Sequence, residues 1–286
     1  MPETRTVATA GATITYDVHP GTGSGPALFL LGSPMEAAAF GTLAGHFGDR
    51  TVLTYDPRGA GRSPQAEPGA EADPAQHAED LRAVLDAAAL GPIDVFATSG
   101  GAVNALAWIG RHRPEPVRTL VAHEPPVAQF LPDRDEVNAV CADIYATYQA
   151  KGEGAAMAKF IALVSQQGPL PAGYADAPGP DPATFGLPDT DDGSRTNPLL
   201  GVTMRGCGRY EHDLAALRAA PTRIVLASGA ASGPEMAARG AESFAAAGGF
   251  EHVLLPGGHV GFLGGEHGQQ GEPEAFAAAL RDILAH

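Results

Sequence analysis

Ser99 lies in the segment Val95-Phe96-Ala97-Thr98-Ser99-Gly100-Gly101-Ala102. The apolar run Ile93 to Phe96 before it reads as a short buried strand. Ala102 to Arg113 after it reads as a helix, with apolar residues at helical spacing. A serine on a sharp strand-to-helix turn projects its hydroxyl into open space, where it can act as a nucleophile. Only small residues fit around it, because the strand and helix backbones nearly touch there. The usual spacing is Gly-x-Ser-x-Gly, and here Ala97 stands at the first glycine. Alone, the segment equally fits a structural turn or a phosphate-binding loop.

Three further segments favour the nucleophile. The strand end Leu30-Leu31-Gly32-Ser33-Pro34 sits where an oxyanion loop would sit. The backbone N–H groups of Ser33 and Gly100 could then converge on one oxygen and hold the charge of a carbonyl under attack. Tyr55-Asp56-Pro57-Arg58-Gly59-Ala60-Gly61-Arg62-Ser63 reads as a hydrogen-bonded turn that braces the same side of the sheet. Leu255-Pro256-Gly257-Gly258-His259 places a histidine in a Gly-rich loop after the last strand, late in the order Ser, acid, His. The other nine histidines lack such a context. His123-Glu124-Pro125-Pro126 does not continue as a His-Glu-x-x-His zinc helix, and its prolines forbid that helix.

Together these segments resemble the α/β-hydrolase superfamily, and among its members the small bacterial proteins with a helical cap: haloperoxidase-like esterases, epoxide hydrolases and haloalkane dehalogenases. The resemblance implies a serine hydrolase, because the last two groups use Asp where this chain has Ser99. It implies cleavage of a small or medium ester or thioester through an acyl-enzyme. The usual place for the third member of the triad, after the strand Ile224 to Leu226, holds no carboxylate before Glu235, which is expected in the first turn of a helix. Some members carry the acid at the end of the strand after the elbow helix, and Glu124 matches that position. The implied triad is Ser99, His259 and Glu124, with Glu235 as the alternative acid. The same site could instead serve a non-hydrolytic acyltransferase, lyase or cyclase, or the fold could serve as a binding protein.

The elements that must position these residues alternate. Arg5–Ala8 and Thr13–Asp17 form an expected antiparallel ribbon. Strands follow at 27–31, 51–55, 93–96 and 117–122, with helices at 37–47, 75–89 and 102–113 between and beside them. This alternation predicts an α/β fold with a doubly wound, mostly parallel sheet. The rhythm breaks near Val127. Helices are expected at 136–150, 154–167 and 197–210, around a long Gly-, Pro- and Asp-rich segment at 168–197 that reads as a lid or a disordered stretch. A strand returns at 222–226, then a helix at 234–247, a strand at 252–255 and a helix at 273–284. The expected organisation is a core of residues 1–125 and 214–286 with a helical cap, 126–213, inserted. Phe130, Tyr145, Tyr148, Phe160, Met204 and Tyr210 are the candidate pocket-lining residues of that cap.

The 286 residues carry 33 acidic and 18 basic side chains, a formal charge of −15. That balance argues against nucleic acid and anionic membranes as partners, and leaves a small-molecule substrate and a homodimer open. The start Met1-Pro2-Glu3-Thr4-Arg5 has no signal-peptide pattern, and no apolar run is long enough to span a bilayer. Cys141 and Cys207 match no zinc or redox spacing. A cytoplasmic protein with free thiols is expected. Gly21-Thr22-Gly23-Ser24-Gly25 precedes a strand rather than following one, so it is no dinucleotide fingerprint. No metal, nucleotide or flavin cofactor is implied.

Overall fold

The structure, a computed structural model, describes residues 2–286. Eight strands form one sheet in the order β1-β2-β4-β3-β5-β6-β7-β8. They are β1 (Glu3–Thr9), β2 (Ala12–His19), β3 (Ala27–Leu31), β4 (Val52–Tyr55), β5 (Ile93–Thr98), β6 (Val117–His123), β7 (Arg223–Gly229) and β8 (Glu251–Leu255). β1, β2 and β4 pair antiparallel, and from β4 through β3 to β8 every pairing is parallel.

The central strands are mostly apolar on both faces because both are covered. Along β3 and β5 successive side chains alternate between two cores. Phe29, Leu31, Val95 and Ala97 join Leu81 of α2 (Pro74–Ala88) and Trp108 of α3 (Gly100–His112). Leu28, Leu30 and Phe96 join Leu43 of α1 (Gly41–Gly45) and Phe276 of α9 (Pro273–Leu284). α8 (Met236–Gly248) crosses from β7 to β8.

Between β6 and β7 the described residues form no strand. α4 (Arg134–Lys151) and α5 (Glu153–Val164) pack through Val137, Ile144, Tyr148 and Leu163 into a core of their own. The helix expected at 197–210 starts as a π-helix, Pro198–Thr203, and tightens into α6 (Met204–Arg209). Asn197 caps it through Oδ1, 3.0 Å from the N–H groups of Leu199 and Leu200. α7 (Leu214–Arg218) then leads into β7.

One expectation needs correction, and the choice left open at 168–197 is narrowed. The helix expected at 37–47 is a 3-10 turn, Ala37–Phe40, followed by the short α1; glycines at 41 and 45 weaken a continuous helix. The segment 168–197 is structured. It holds 3-10 turns at Tyr174–Asp176 and Pro182–Phe185, and side chains pin it. Asp133 accepts the Leu170 N–H at 2.8 Å, and Arg195 pairs with Asp191 at 2.7 Å while lying over the Tyr148 ring.

Candidate active site

Ser99 follows β5 with φ 54° and ψ −134°, a conformation that costs a residue with a side chain about 1–3 kcal/mol. Its N–H donates to the His123 carbonyl at 3.0 Å, and its own carbonyl accepts the Ala102 N–H at 2.9 Å, which starts α3 at once. The turn closes tightly on the loop after β3. A Cβ on Gly101 would lie 2.6 Å from the Gly32 Cα, and one on Gly100 would lie 2.5 Å from the Ser33 carbonyl oxygen. Gly100 is the first residue of α3, so its N–H has no acceptor within the helix. Ser33 is buried in the facing loop.

Glu124 stands one residue beyond β6, also at positive φ, 46°. Its N–H donates to the Ala227 carbonyl at 2.9 Å, and its carboxylate is fully buried. Oε1 accepts the Gly229 N–H at 2.7 Å, and Oε2 lies 2.6 Å from Nδ1 of His259. Burial alone would raise this carboxyl. The hydrogen bond from His259 and the nearby rings of His123 and His259 outweigh it, so the Glu124 pKa falls to about 2. His123 is itself buried, its Nδ1 3.0 Å from Thr98 Oγ1 and its ring centroid 6.1 Å from that of His259. Burial pushes its pKa down to about 4, so it is neutral at pH 7.

Asp56, just past β4, ties the Ser33 loop to the sheet. It accepts the N–H of Ala37 at 3.0 Å and that of Arg62 at 2.9 Å, and pairs with Arg62 Nε at 2.7 Å. Burial would raise the Asp56 carboxyl, but the Arg62 bonds hold it below its ordinary value. Arg58 reaches α2 instead, in a buried two-point pair with Asp80 at 2.7 and 2.6 Å.

A cavity of about 450 Å³ opens over the carboxyl ends of the strands, where ligands of open α/β sheets bind. Ser33, Ser99, Gly100, Glu235 and His259 line it from the sheet side. Met204 and Phe160 of the inserted helices line it from above, with aliphatic residues of α4 and α5. Four of the six expected lining residues lie elsewhere. Phe130 packs edge-on against Phe244, Tyr145 lies under the Arg205 guanidinium at 3.5 Å, and Tyr210 packs against His212. Tyr148 is likewise in the helical core, its hydroxyl accepting the Asn197 N–H. Helical spacing marked these aromatics as buried without telling which surface they bury. The residues missed include Val137, Ile161, Leu163, Met236, Gln269 and both cysteines. Burial pushes the thiols up, Cys141 to about 11 and Cys207 to about 12. Glu235 is not inside a helix turn but at the position before α8. Among the described residues, no three His, Cys, Asp or Glu side chains gather as a metal-holding group, and no helix is long and apolar enough to cross a membrane.

Comparison with known proteins agrees with this architecture. An uncharacterized hydrolase of Bacillus subtilis, YraK, is 37% identical over 128 residues, 44% of this chain and 46% of that protein. The match thus spans less than half of the relative's length. Among solved structures, a thermophilic esterase from Thermogutta terrifontis superposes with a TM-score of 0.65 at 20% identity, covering 100% of this chain and 98% of that one. Carboxylesterase CesB of Bacillus subtilis gives 0.62 at 17% identity, covering 99% and 92%. At these identities the likeness is one of fold. The sequence model described as alpha/beta hydrolase fold matches residues 29–173, about half of the chain, from β3 through the Ser99 turn into the inserted helices. By fold and by sequence, then, this chain belongs to the α/β hydrolase family.

Proposed function

We propose that this protein is a hydrolase that cleaves small or medium carboxylic esters or thioesters through an acyl-enzyme on Ser99. The observation that carries the reading is the 2.6 Å contact between Glu124 and His259 Nδ1, with His259 and Ser99 on one cavity wall. In this reading Ser99 Oγ attacks the carbonyl carbon while Nε2 of His259 takes its proton. The proton then passes to the leaving alcohol or thiol. A water deprotonated by His259 releases the acid and restores Ser99. Glu124 fixes the tautomer with Nδ1 protonated and stabilises the imidazolium. The N–H groups of Ser33 and Gly100 serve as oxyanion donors. The esterase folds among the structural neighbours support the reaction class.

A fluorophosphonate tests this directly. Wild-type protein is expected to form a stoichiometric adduct on Ser99, read by intact mass, and to cleave members of an acyl-ester panel. Ser99→Ala should do neither. An unlabelled wild-type protein that leaves the whole panel intact overturns the reading.

A further inference from the structure

Glu235 occupies the N-cap position of α8, yet its side chain makes no capping hydrogen bond. It lines the cavity together with Ser99 and His259. Gln167, at the end of the inserted α5 region, donates from Nε2 to its Oε1 at 3.3 Å. The backbones of these two residues also form an antiparallel bridge, which holds the carboxylate at the seam between the inserted helices and the sheet. Among the described residues, no lysine or arginine lines the cavity. Glu124 cannot serve a ligand, being fully buried behind His259 with both oxygens engaged.

The cavity thus holds one carboxylate without a fixed cation, among mostly apolar walls. Burial and the negative charge of Glu124 raise the Glu235 carboxyl above its ordinary value, against a weaker opposing pull from Gln167 and His259. Among the described residues, no lysine or arginine side chain balances Glu235, and that is the shortage in this cavity. A ligand cation beside Glu235 would relieve that shortage, and a second carboxylate would worsen it.

We propose that Glu235 is a specificity-determining residue that selects substrates carrying an ammonium group and rejects those carrying a carboxylate. The substrate part of this inference rests on the ester-cleaving reading of the same cavity. Binding tests it without catalysis. 4-Phenylbutylamine and the neutral 4-phenylbutanol match in shape, and calorimetry on Ser99→Ala should find the amine about tenfold tighter, a difference that Ser99→Ala/Glu235→Gln loses. Equal affinities in the parent, or a preference that survives the second substitution, overturn the proposal. In turnover, the ratio of kcat/KM for an amine-bearing ester over its neutral isostere should fall about tenfold in Glu235→Gln, and Glu235→Lys should shift preference to a carboxylate-bearing ester. A parallel loss on both esters, with the ratio unchanged, would instead assign Glu235 to the reaction and overturn the proposal. Cation-selective binding by a protein that cleaves no ester supports the role of Glu235 in recognition and overturns the ester-cleaving reading alone.

Discussion

The Gly229 N–H, at the end of β7, donates to Oε1 of Glu124 at 2.7 Å. This bond uses one oxygen of a fully buried carboxylate and leaves the other facing His259. Removing the charge while keeping the shape separates the two glutamates of the region. Glu124→Gln should lower kcat by about 10³–10⁴-fold on any substrate, because the amide no longer enforces the working tautomer. Glu235→Gln should alter substrate preference instead. Steady-state kinetics on two esters of different charge decide it, and a kcat loss confined to Glu235→Gln would reassign the acid.

The Asp56 carboxylate joins the Arg62 turn to the start of the Ala37–Phe40 turn, and so holds the Ser33 loop. Asp56→Asn keeps the shape but gives up charge-assisted bonds. It should reduce kcat about tenfold or more with little change in KM, because a displaced oxyanion donor acts mainly in the transition state. A rise in KM at constant kcat would show that the turn shapes the binding pocket instead.

Asp80→Ala leaves the Arg58 guanidinium buried without its partner. The expected cost is about 3–5 kcal/mol, seen as a lower urea midpoint with an unchanged slope. Replacing Arg58 and Asp80 together by Met and Leu should recover much of that loss.

Burial lowers three histidine pKa values in the folded protein, His77 to about 4, His123 to about 4 and His212 to about 3. The unfolded chain takes up protons near pH 6.5, before the folded one does. Their contribution to stability is therefore complete above pH 6.5 and is lost as pH falls toward 4 and 3, at up to about 1.4 kcal/mol per pH unit for each histidine. Glu124 adds a second loss of the same sign, from about pH 4.5 down to its folded value of about 2. Urea midpoints at pH 7.5, 6.0 and 5.0 should fall in that order. His77→Leu should flatten the dependence by one histidine's share, and a flat wild-type profile would contradict the burial argument.

Where the sequence was most constrained it was most legible. β3 could be read because a strand covered on both faces is apolar throughout, and β5 because Val95-Phe96-Ala97 is an uninterrupted apolar run. The Ser99 turn could be read because two backbones in contact admit only glycine. Glu124 stood out as a carboxylate at the end of a buried strand, a place that demands a partner. The inserted helices were legible as helices at 136–150 and 154–167, but their aromatic residues misled. Burial pattern carries no label for the surface being buried, so Tyr145 and Tyr210 looked like pocket and are packing. The order in 168–197 was hidden because it rests on distant side-chain bonds, Asp133 to Leu170 above all.

Gly101→Ala and Ala97→Gly form an instructive pair. The first should destabilise by about 1–3 kcal/mol, because the added methyl meets the Gly32 backbone. The second should cost about 1 kcal/mol at most and should leave ester turnover close to wild type, since Ala97 is accommodated inside β5 between Leu31 and Ala122. Thermal melts rank them. The contact of Gly101 with Gly32 therefore bears on how such chains are recognised in unlabelled genomes. A search string that insists on a glycine two places before the serine passes over this protein. One that insists on glycine two places after it, paired with a second glycine at the end of an earlier apolar strand, asks for the contact the turn depends on, and admits the alanine that β5 accommodates at position 97.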